Sequence, residues 1–435
     1  MALKWKRSLA VLMTVALSIT LAACGGSKDK ESDTASTNNN TSSDGKVKLR
    51  IMWWGSQPRH EATLKALELY TKNNPNVTFE PEYSGMDGYL DKLSTQAAAK
   101  NAPDIYQLDP GWVSDWQKRG QLAELSGVDV SKVDPKVLTI GRFDDKQYAV
   151  PLGSVAYGMI YDKAALEKSG GAAPQNGWKW DDFFALADSM KGKLPQGQYF
   201  TKDYAGDYFA YSAYQYAAGK GTIVTDDGKF NIDHDTYIAW TTKFEQLRKD
   251  GLVPPADLNA SDKEFDPTAD LMVSGKILFR LSFSNNYASW DSLKPGAYAL
   301  VTMPRAAEAG GWLKPSMFFG ISPNSKNAEE AQKFVNWFLN DPEAAKILGT
   351  QRGMPVNSEI GASIESTLSP ADKVGLELLN ATLPDGQTFT TGAPGWTNFI
   401  DKDFALVRDE LSFGRTTPEE AFNKLKSAAE EYENQ

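Results

Sequence analysis

The sequence predicts an α/β fold divided between two domains, and two observations support this prediction. Strand patterns alternate with helix patterns between residues 47 and 108, which is typical of a parallel, doubly wound sheet. The chain from residue 46 to residue 435 is also too long for one simple hydrophobic core. Its single cysteine rules out a disulfide within the chain, so packing must stabilise both domains.

The first half of the predicted sheet begins with a strand over residues 47–53, where apolar and polar side chains alternate. An amphipathic helix over 61–73 follows and ends at Asn74-Pro75. The next elements are a strand over 77–83, a helix over 88–100 and a strand over 104–108. Ligands of such sheets bind at the carboxyl ends of the strands, so the loops of interest are 53–60, 83–89 and 109–116.

The rest of the chain continues the mixed pattern and contains no internal repeat. A helix opens at Trp180 with Asp181 as its expected N-cap, and Asp227-Gly228 centres a hairpin over 222–232. The C-terminal third is expected to be mostly helical. Further strands are predicted over 147–151, 158–161 and 276–283, and further helices over 327–339 and 342–349.

The first 24 residues have the pattern of an export signal. Three basic residues precede an apolar run over 9–23, which is shorter than the roughly 20 apolar residues that span a membrane. Cys24 follows Ala22-Ala23 and resembles the lipobox of bacterial lipoproteins, whose thiol is lipidated after the signal peptide is removed. We therefore expect a signal peptide over 1–23 and a lipidated Cys24. The alternative is an ordinary signal peptide with an incidental cysteine.

Residues 24–45 are expected to form a disordered tether. After Cys24 they are almost wholly Gly, Ser, Thr, Asn, Asp, Lys and Glu, which have no apolar surface to bury. A flexible coil of about 20 residues reaches roughly 25 Å on average. This length is enough to hold a folded body clear of a lipid surface.

Composition argues against several functional classes. The net charge of −10 argues against nucleic acid as a partner, which needs a basic face. The chain has two histidines, and the segment from His60 to Leu64 lacks the second histidine of a zinc protease motif. Asp226-Asp227-Gly228 lacks the alternating acids of a calcium loop. We therefore expect no metal and no cofactor.

Five segments carry a resemblance to a known family. They are WWGSQPRHEATLKAL (53–67), EYSGMDGYLDKLSTQ (82–96), APDIYQLDPGW (102–112), YAVP (148–151) and ISPNSKNAEEAQKFVNWFLNDPEAAKILGTQRGMP (321–355). These segments resemble the extracellular solute-binding proteins of carbohydrate ABC transporters, the large family 1 that includes maltose-binding protein. The first two segments, and Trp312 followed by Lys314-Pro315, are most similar to the oligogalacturonide-binding branch.

This resemblance implies a two-lobed, periplasmic-binding-protein-like fold of type II, each lobe a mostly parallel sheet flanked by helices. It assigns residues 46–151 and 277–323 to the N-terminal lobe and residues 152–276 and 324–435 to the C-terminal lobe. An oligosaccharide would be held in the cleft between the lobes, which close by a hinge motion. The resemblance further implies delivery to the subunits of an ABC permease by a monomer anchored through lipid at the extracellular face of a Gram-positive-like cell membrane.

Sugars present polar hydroxyls at the ring edge and apolar C–H faces, so their sites combine aromatic platforms with a few polar groups. In the N-terminal lobe Trp53 and Trp54 end the first strand, and of the two we favour Trp54 for the cleft. Trp112 and Asp109 follow the third strand, and Arg59 lies in the first loop. The alternatives are lobe packing for the aromatic residues and a surface charge for Arg59.

Candidates in the second part of the chain are aromatic or polar residues of predicted loops and strand ends. Each has a packing or capping role as its alternative. For Arg352 the alternative is a positive charge that stabilises the C-terminus of a helix. These candidates are Tyr157, Tyr208, Tyr211, Phe283, Ser284, Asn285, Trp312, Lys314, Arg352 and Trp396.

The charge of the ligand and the functional class both stay open at this point. Arg59 and Lys314 are suited to the carboxylates of uronates. However, Tyr157 stands where the oligogalacturonide branch carries arginine, and Phe283-Ser284 replaces its Trp-Asn pair, so a neutral or mixed oligosaccharide is an equal alternative. A secreted polysaccharide-active enzyme, a glycoside hydrolase or lyase, is the competing class, although no carboxylate pair stands in a recognisable motif. A peptide-binding or adhesive lipoprotein is a third class.

Overall fold

A computed structural model describes residues 46–225, 227–393 and 395–434 of the chain. The predicted signal peptide, Cys24 and the tether lie outside the described residues. Within these ranges no helix combines the length and the apolar character needed to cross a membrane.

Thirteen β-strands occur in the described residues, and most of the longer ones coincide with a sequence prediction. In chain order they are β1 Val47–Trp54, β2 Val77–Ser84, β3 Ile105–Leu108, β4 Arg142–Phe143, β5 Lys146–Gln147, β6 Ala149–Pro151, β7 Ser154–Asp162, β8 Tyr199–Thr201, β9 Ile277–Phe283, β10 Tyr298–Thr302, β11 Trp312–Pro315, β12 Phe318–Ile321 and β13 Gln387–Thr388.

The α-helices flank the sheets, and the region beyond residue 327 is mostly helical, as predicted. In chain order they are α1 Gln57–Asn73, α2 Tyr89–Ala98, α3 Pro110–Lys118, α4 Pro135–Leu138, α5 Lys163–Lys168, α6 Trp180–Ser189, α7 Tyr208–Ala217, α8 His234–Lys249, α9 Ala256–Ala260, α10 Tyr287–Leu293, α11 Ala328–Asn340, α12 Pro342–Leu348, α13 Ser358–Ile364, α14 Pro370–Thr382, α15 Trp396–Asn398, α16 Ala405–Ser412 and α17 Pro418–Glu433. A π-helical turn occupies Phe399–Phe404.

The first sheet has the strand order β2-β1-β3-β12-β6. The pairs β2-β1 and β1-β3 are parallel, as the alternation of strands and helices predicts. Helix α1 begins at Gln57, four residues before the predicted start, because Pro58 is compatible with a first helical turn. The parallel strands therefore end together beside the starts of α1 and α3, where the sequence places a ligand site.

The second sheet has the strand order β13-β11-β7-β9-β8, and β10 also pairs with β7. Strand β7 is buried along its whole length and is antiparallel to β9, β10 and β11. The two-lobed α/β fold is therefore as predicted, but its sheets are mixed rather than mostly parallel. Within the second sheet only the pairs β8-β9 and β11-β13 are parallel.

Strand pairing corrects the predicted division of the chain between the lobes. Of the segment 277–323, strands β9, β10 and β11 belong to the second sheet and only β12 joins the first. Of the segment 324–435, α11 and α12 pack on the first lobe, since Phe334 contacts Tyr70 and Phe79 and α12 packs on α1. The sequence pattern marks elements, but the pairing partner of each strand depends on tertiary structure.

Two local predictions have different outcomes. The N-cap of α6 is Lys179, whose backbone N–H donates to Asp182 at 2.9 Å, so the prediction of Asp181 as the cap is wrong. An antiparallel bridge between Val224 and Phe230 confirms the hairpin.

Three chain segments cross between the lobes, at residues 151–154, 315–318 and 352–355. Backbone hydrogen bonds join these segments to one another, so they form one small hinge unit. The bonds run from Leu152 N–H to Met317 O and from Ser316 N–H to Gly153 O (both 2.9 Å), and between Ser154 and Met354 in both directions (2.8 and 3.1 Å).

Gly153 lies at the tightest point of this hinge. A Cβ atom at this position would lie 1.7 Å from the carbonyl oxygen of Arg352, a backbone atom that cannot move independently. The hydroxyl of Ser316 donates a hydrogen bond to the same carbonyl. Glycine is therefore required because two crossing segments approach each other more closely than any side chain allows.

We predict that Gly153→Ala destabilises the protein because the added methyl group forces the crossing segments apart. Overpacking of this kind costs about 1–3 kcal/mol of unfolding free energy. Urea unfolding of the mature protein measures the change. Gly85→Ala is the matched control, because a Cβ at Gly85 meets no atom within 4 Å. Equal stability of the two variants would contradict the assigned role of Gly153.

Candidate ligand-binding cleft

The first lobe presents an aromatic cluster at the carboxyl ends of its parallel strands. Trp54, the last residue of β1, has its ring centroid 4.9 Å from Tyr89 and 5.4 Å from Trp112. Trp112 and Tyr89 lie 6.4 Å apart with nearly parallel rings. Trp112 is only half-buried. We call Trp54, Tyr89 and Trp112 the first-lobe aromatic cluster.

Asp109 lies beside this cluster as the N-cap of α3. Its carboxylate accepts a hydrogen bond from Gly111 N–H at 2.9 Å, which satisfies one of the free donors of the helix start. Asp401 lies in the π-helical turn. Its own burial, and then the negative charge of Asp109, raise the pKa of Asp401. The capping role occupies one oxygen of Asp109 and leaves the other for further contacts.

The second lobe presents a row of side chains on one face of its sheet, and strand register explains the row. Trp312 pairs with Gln387 on β13, and Tyr157 pairs with Phe283 on β9. Trp312 and Tyr157 lie on the adjacent strands β11 and β7, and their rings are stacked 4.2 Å apart at 5°. We call Gln387, Trp312, Tyr157 and Phe283 the platform row.

Lys314 lies two residues beyond Trp312 and on the same face of β11. Its ammonium group is 5.7 Å from the ring of Phe283 and 5.6 Å from the ring of Phe389, within the range of cation–π attraction. No carboxylate of the described residues forms an ion pair with it. Two buried donors of the platform row, Trp312 Nε1 and Gln387 Nε2, also lack a hydrogen-bond partner within the described ranges. This face of the second lobe is therefore rich in unused donors.

Trp396 connects the two lobes. Its Nε1 donates to the hydroxyl of Tyr208 at 3.1 Å, and its ring packs edge-on against Phe389 at 6.0 Å. On the other side, a Cβ placed on Gly111 would lie 2.5 Å from the Trp396 ring. The ring of Trp396 therefore lies directly on the start of α3.

A cavity of about 420 Å³ opens beside Trp396 and Trp112 between the lobes. Its size is within the usual range of small-molecule sites. A larger cavity of about 600 Å³ lies on the opposite face of β11, where Leu313 points. That larger cavity contains none of the candidate site residues, so we assign the ligand site to the aromatic side.

Comparison with known proteins agrees with this geometry. The sequence profile of the bacterial extracellular solute-binding protein family matches residues 55–345, which is more than half of the chain. The chain belongs to this family. The two lobes, the hinge and the cleft described above are thus those of an extracellular solute-binding protein.

Three proteins illustrate the likeness. A solute-binding protein of family 1 from Alicyclobacillus acidocaldarius is 30% identical, with a TM-score of 0.72 over 89% of this chain and 99% of that one. An oligogalacturonide-binding protein from Yersinia enterocolitica, in complex with saturated digalacturonic acid, has a TM-score of 0.72 over 89% and 99% at 22% identity and so shares the fold. The maltodextrin-binding protein of Bacillus subtilis is 24% identical over 98% of each chain.

The structure separates the two adjacent tryptophans. Trp53 is fully buried in the first lobe, where its Nε1 donates to His60 at 3.1 Å and its ring stacks on Tyr83. Trp54 points the other way, into the first-lobe aromatic cluster. A cleft role for Trp54 stays a prediction, whereas Trp53 is a core residue.

Three other candidates lie away from the aromatic side of the cleft. The hydroxyl of Tyr211 donates to Gln215 at 2.7 Å within the core between α7 and α8, and its ring packs on Tyr237. Ser284 accepts a hydrogen bond from Ala156 N–H at 3.1 Å on the face of β7 that packs against α14. Asn285 is exposed beside Ser284. A ligand role for these residues is not supported, because strand and helix periodicity directs them elsewhere.

The two candidate arginines are engaged in the protein itself. Arg59 donates to the backbone carbonyls of Gln351 at 2.9 Å and Trp54 at 3.2 Å, and burial lowers its pKa to about 10. Arg352 is buried and donates to Gln107 and Thr63, both at 3.0 Å. These bonds join the third hinge segment to the first lobe, so neither guanidinium group reaches the platform row.

Sequence reasoning missed four residues of the site. Tyr89 lies on α2, and Phe209 lies on α7 with its ring 5.7 Å from that of Trp312. Gln387 belongs to the two-residue strand β13, and Phe389 follows this strand and contacts Trp312. One signal was present: Phe389 stands between Thr388 and Thr390, an alternation typical of a strand with one buried face. The segment is too short for this pattern to stand out from a loop.

Proposed function

We propose that this protein captures an oligosaccharide between its lobes and delivers it to the permease of a carbohydrate ABC importer. The observation that carries the proposal is the cavity of about 420 Å³ between the lobes, whose wall includes Trp112 of the first-lobe aromatic cluster and Trp396 of the second lobe. The platform row lies behind Trp396, since Phe389 contacts both Trp396 and Trp312. Aromatic faces stack on the apolar faces of sugar rings, and unused donors suit the oxygens at the ring edges.

The relatives support the same ligand class, because proteins of this fold and family are named for oligogalacturonides and maltodextrins. The chemistry of Lys314 favours a ligand that carries an acidic group. A cation held only by aromatic rings gains more from a carboxylate than from a hydroxyl. An acidic sugar is therefore our first choice and a neutral one the alternative.

We further propose that the mature protein is a monomer held at the extracellular face of the membrane by lipid on Cys24. The tether over residues 24–45 would let the folded body move between ligand and permease. This part of the proposal is supported by the sequence pattern around Ala22-Ala23-Cys24.

We predict that Trp112→Ala weakens the binding of the cognate oligosaccharide about tenfold or more, equivalent to about 1.4 kcal/mol. The ring is half-buried and provides a stacking surface, so its loss removes contact area whatever the charge of the sugar. Isothermal titration with panels of plant-wall and starch oligosaccharides measures the change. Recovery of each sugar intact after incubation distinguishes a binding protein from a polysaccharide-active enzyme.

Trp337→Ala is the matched control, because Trp337 is also half-buried in the first lobe but packs against Tyr70 and Phe334, away from the cleft. Its affinity should equal that of the wild type. Unchanged binding by Trp112→Ala, or cleavage of the sugar by the wild type, would refute the proposed function.

We predict that Lys314→Gln separates acidic from neutral ligands. With a uronate ligand the variant loses a charge-assisted hydrogen bond worth about 1.5–3 kcal/mol, and wild-type affinity falls as salt is raised. With a neutral ligand the loss is nearer to about 1 kcal/mol and is independent of salt. Titration of both proteins at two ionic strengths measures this difference. Lys333→Gln, an exposed change on α11, is the control.

We predict that Cys24→Ser abolishes membrane retention, because serine provides no thiol for lipidation. The variant should appear in the medium or remain as an unprocessed precursor. Fractionation of cells, combined with mass measurement of the N-terminus, tests this outcome. A processed, lipid-free protein that stays in the membrane fraction would show that another feature anchors the chain.

A further inference from the structure

The cavity of about 600 Å³ on the face of β11 to which Leu313 points lies beside the hinge. We call it the hinge cavity. Its volume is within the usual range of small-molecule sites. Of the described residues that line it, none is a candidate for sugar binding. The proposed function therefore leaves this cavity without a role.

Both lobes and the hinge contribute to its walls. From the first lobe come α4, which packs on β6, and α13, which packs on α12. From the second lobe come Leu313 of β11 and one face of α14, which packs on β7 and β10. Ser154 and Met354 of the hinge also line the cavity. A molecule bound here would touch both lobes and two of the crossing segments at once.

The walls are largely apolar and partly open to solvent. Five apolar residues of the lining keep free surface: Pro135 and Ala362 are exposed, and Pro355, Leu376 and Leu383 are half-buried. An apolar ligand that enters such a site removes apolar surface from water, which favours binding. The cavity therefore suits a ligand with an apolar body.

The basic residues near the rim of the cavity are already engaged. The ammonium group of Lys132 forms an ion pair with Glu359 at 2.7 Å. Lys136 extends towards the second lobe, where its ammonium group donates to the carbonyl oxygen of Gly386 at 3.2 Å. Neither lysine is paired with a carboxylate that lines the cavity.

Two carboxylates of the lining, those of Asp134 and Glu365, have no cationic partner among the described residues. Asp134 is the N-cap of α4, and its Oδ1 accepts a hydrogen bond from Lys136 N–H at 2.8 Å. Its Oδ2 has no partner in the described ranges. Glu365 is exposed just after α13, and its carboxylate forms no bond within the part of the chain that the structure describes. The uncompensated charge at the hinge cavity is therefore negative.

We propose that the hinge cavity is a second ligand site, which takes a small apolar molecule carrying one ammonium group. The apolar body would contact α14 and the hinge. The ammonium group would lie by Asp134 and Glu365, where it gains charge-assisted hydrogen bonds. An anion would be repelled by the same carboxylates, and a sugar would leave hydroxyls without partners against apolar walls.

The shape of the hinge cavity is linked to that of the cleft, because the same two lobes form both. In the described conformation the ring of Trp396 lies on Gly111, and the hydroxyl of Thr391 donates to the carbonyl oxygen of Pro110 at 3.4 Å. A rotation of the lobes that separates these residues also moves α14 relative to α4 and α13. A ligand that fits the hinge cavity therefore favours the conformation with these cleft contacts.

The ammonium ligand and the sugar should consequently raise each other's affinity, since coupling between two sites is reciprocal. This coupling rests on the proposed function, whereas the hinge-cavity site itself does not.

The test uses three probes with one apolar body and different head groups: 4-phenylbutylammonium, 4-phenylbutan-1-ol and 4-phenylbutyrate. Isothermal titration into the mature wild-type protein at neutral pH measures each affinity. The ammonium probe should bind at one site, about tenfold more tightly than the alcohol, as expected of one charge-assisted hydrogen bond. The carboxylate should bind most weakly. No binding of the ammonium probe, or equal affinities for the ammonium and the carboxylate, would overturn the proposal.

Three variants locate the binding. Ala362→Trp fills the cavity from an exposed position of α13 and should weaken the ammonium probe about tenfold or more. Ser363→Trp, at the next exposed position of α13 but outside the lining, is the matched control and should bind as the wild type does. Asp134→Asn keeps an acceptor for the cap of α4 but loses the charge, so it should bring the ammonium affinity close to that of the alcohol. Unchanged ammonium binding by Ala362→Trp would show that the probe binds elsewhere and would refute the assignment.

Coupling is measured separately, by titrating the cognate sugar with and without the ammonium probe at saturation. Sugar affinity should rise in the wild type and stay constant in Ala362→Trp. A protein that binds no sugar at all would refute the proposed function but would leave the probe titrations, and so the hinge-cavity site, intact. Sugar affinity that falls with the probe bound would contradict the proposed direction of coupling.

Discussion

The close approach of three crossing segments at Gly153 is the constraint on which the rest of the structure depends. The carbonyl of Arg352 occupies the space where any other residue would place its Cβ atom. Hydrogen bonds between the segments then fix the end of β6, the start of β7 and the link from β11 to β12. Since each lobe continues from these segments, the hinge determines which strand edges face each other across the cleft.

The platform row shows how strand register turns a scattered set of residues into one surface. Gln387, Trp312, Tyr157 and Phe283 are far apart in sequence but lie side by side because four neighbouring strands align them. The same register places Lys314 beyond Trp312 and directs Leu313 to the opposite face. One strand thus presents Trp312 and Lys314 among aromatic rings on one face and lines the cavity of about 600 Å³ with Leu313 on the other.

Adjacent residues with similar side chains have different roles for the same reason. Trp53 and Trp54 occupy opposite faces of β1, so one packs beneath α1 and the other joins Trp112. Tyr208 and Tyr211 are both on α7, but only Tyr208 meets Trp396. Strand and helix periodicity predicts that the side chains of such neighbours point in different directions. It does not say which face meets the second lobe, because that depends on how the lobes are joined.

The sequence by itself determined the α/β class, the first three parallel strands, the loops at their carboxyl ends and the family. These features depend on local hydrophobic periodicity, helix boundaries and motif order, which short stretches of chain contain. Only the tertiary structure decided that β9 to β11 belong to the second lobe and α11 and α12 to the first. It also decided that Arg59 and Arg352 support the hinge region, because the bonds of Arg59 to Gln351 and of Arg352 to Thr63 each span almost 300 residues and no local pattern specifies such contacts.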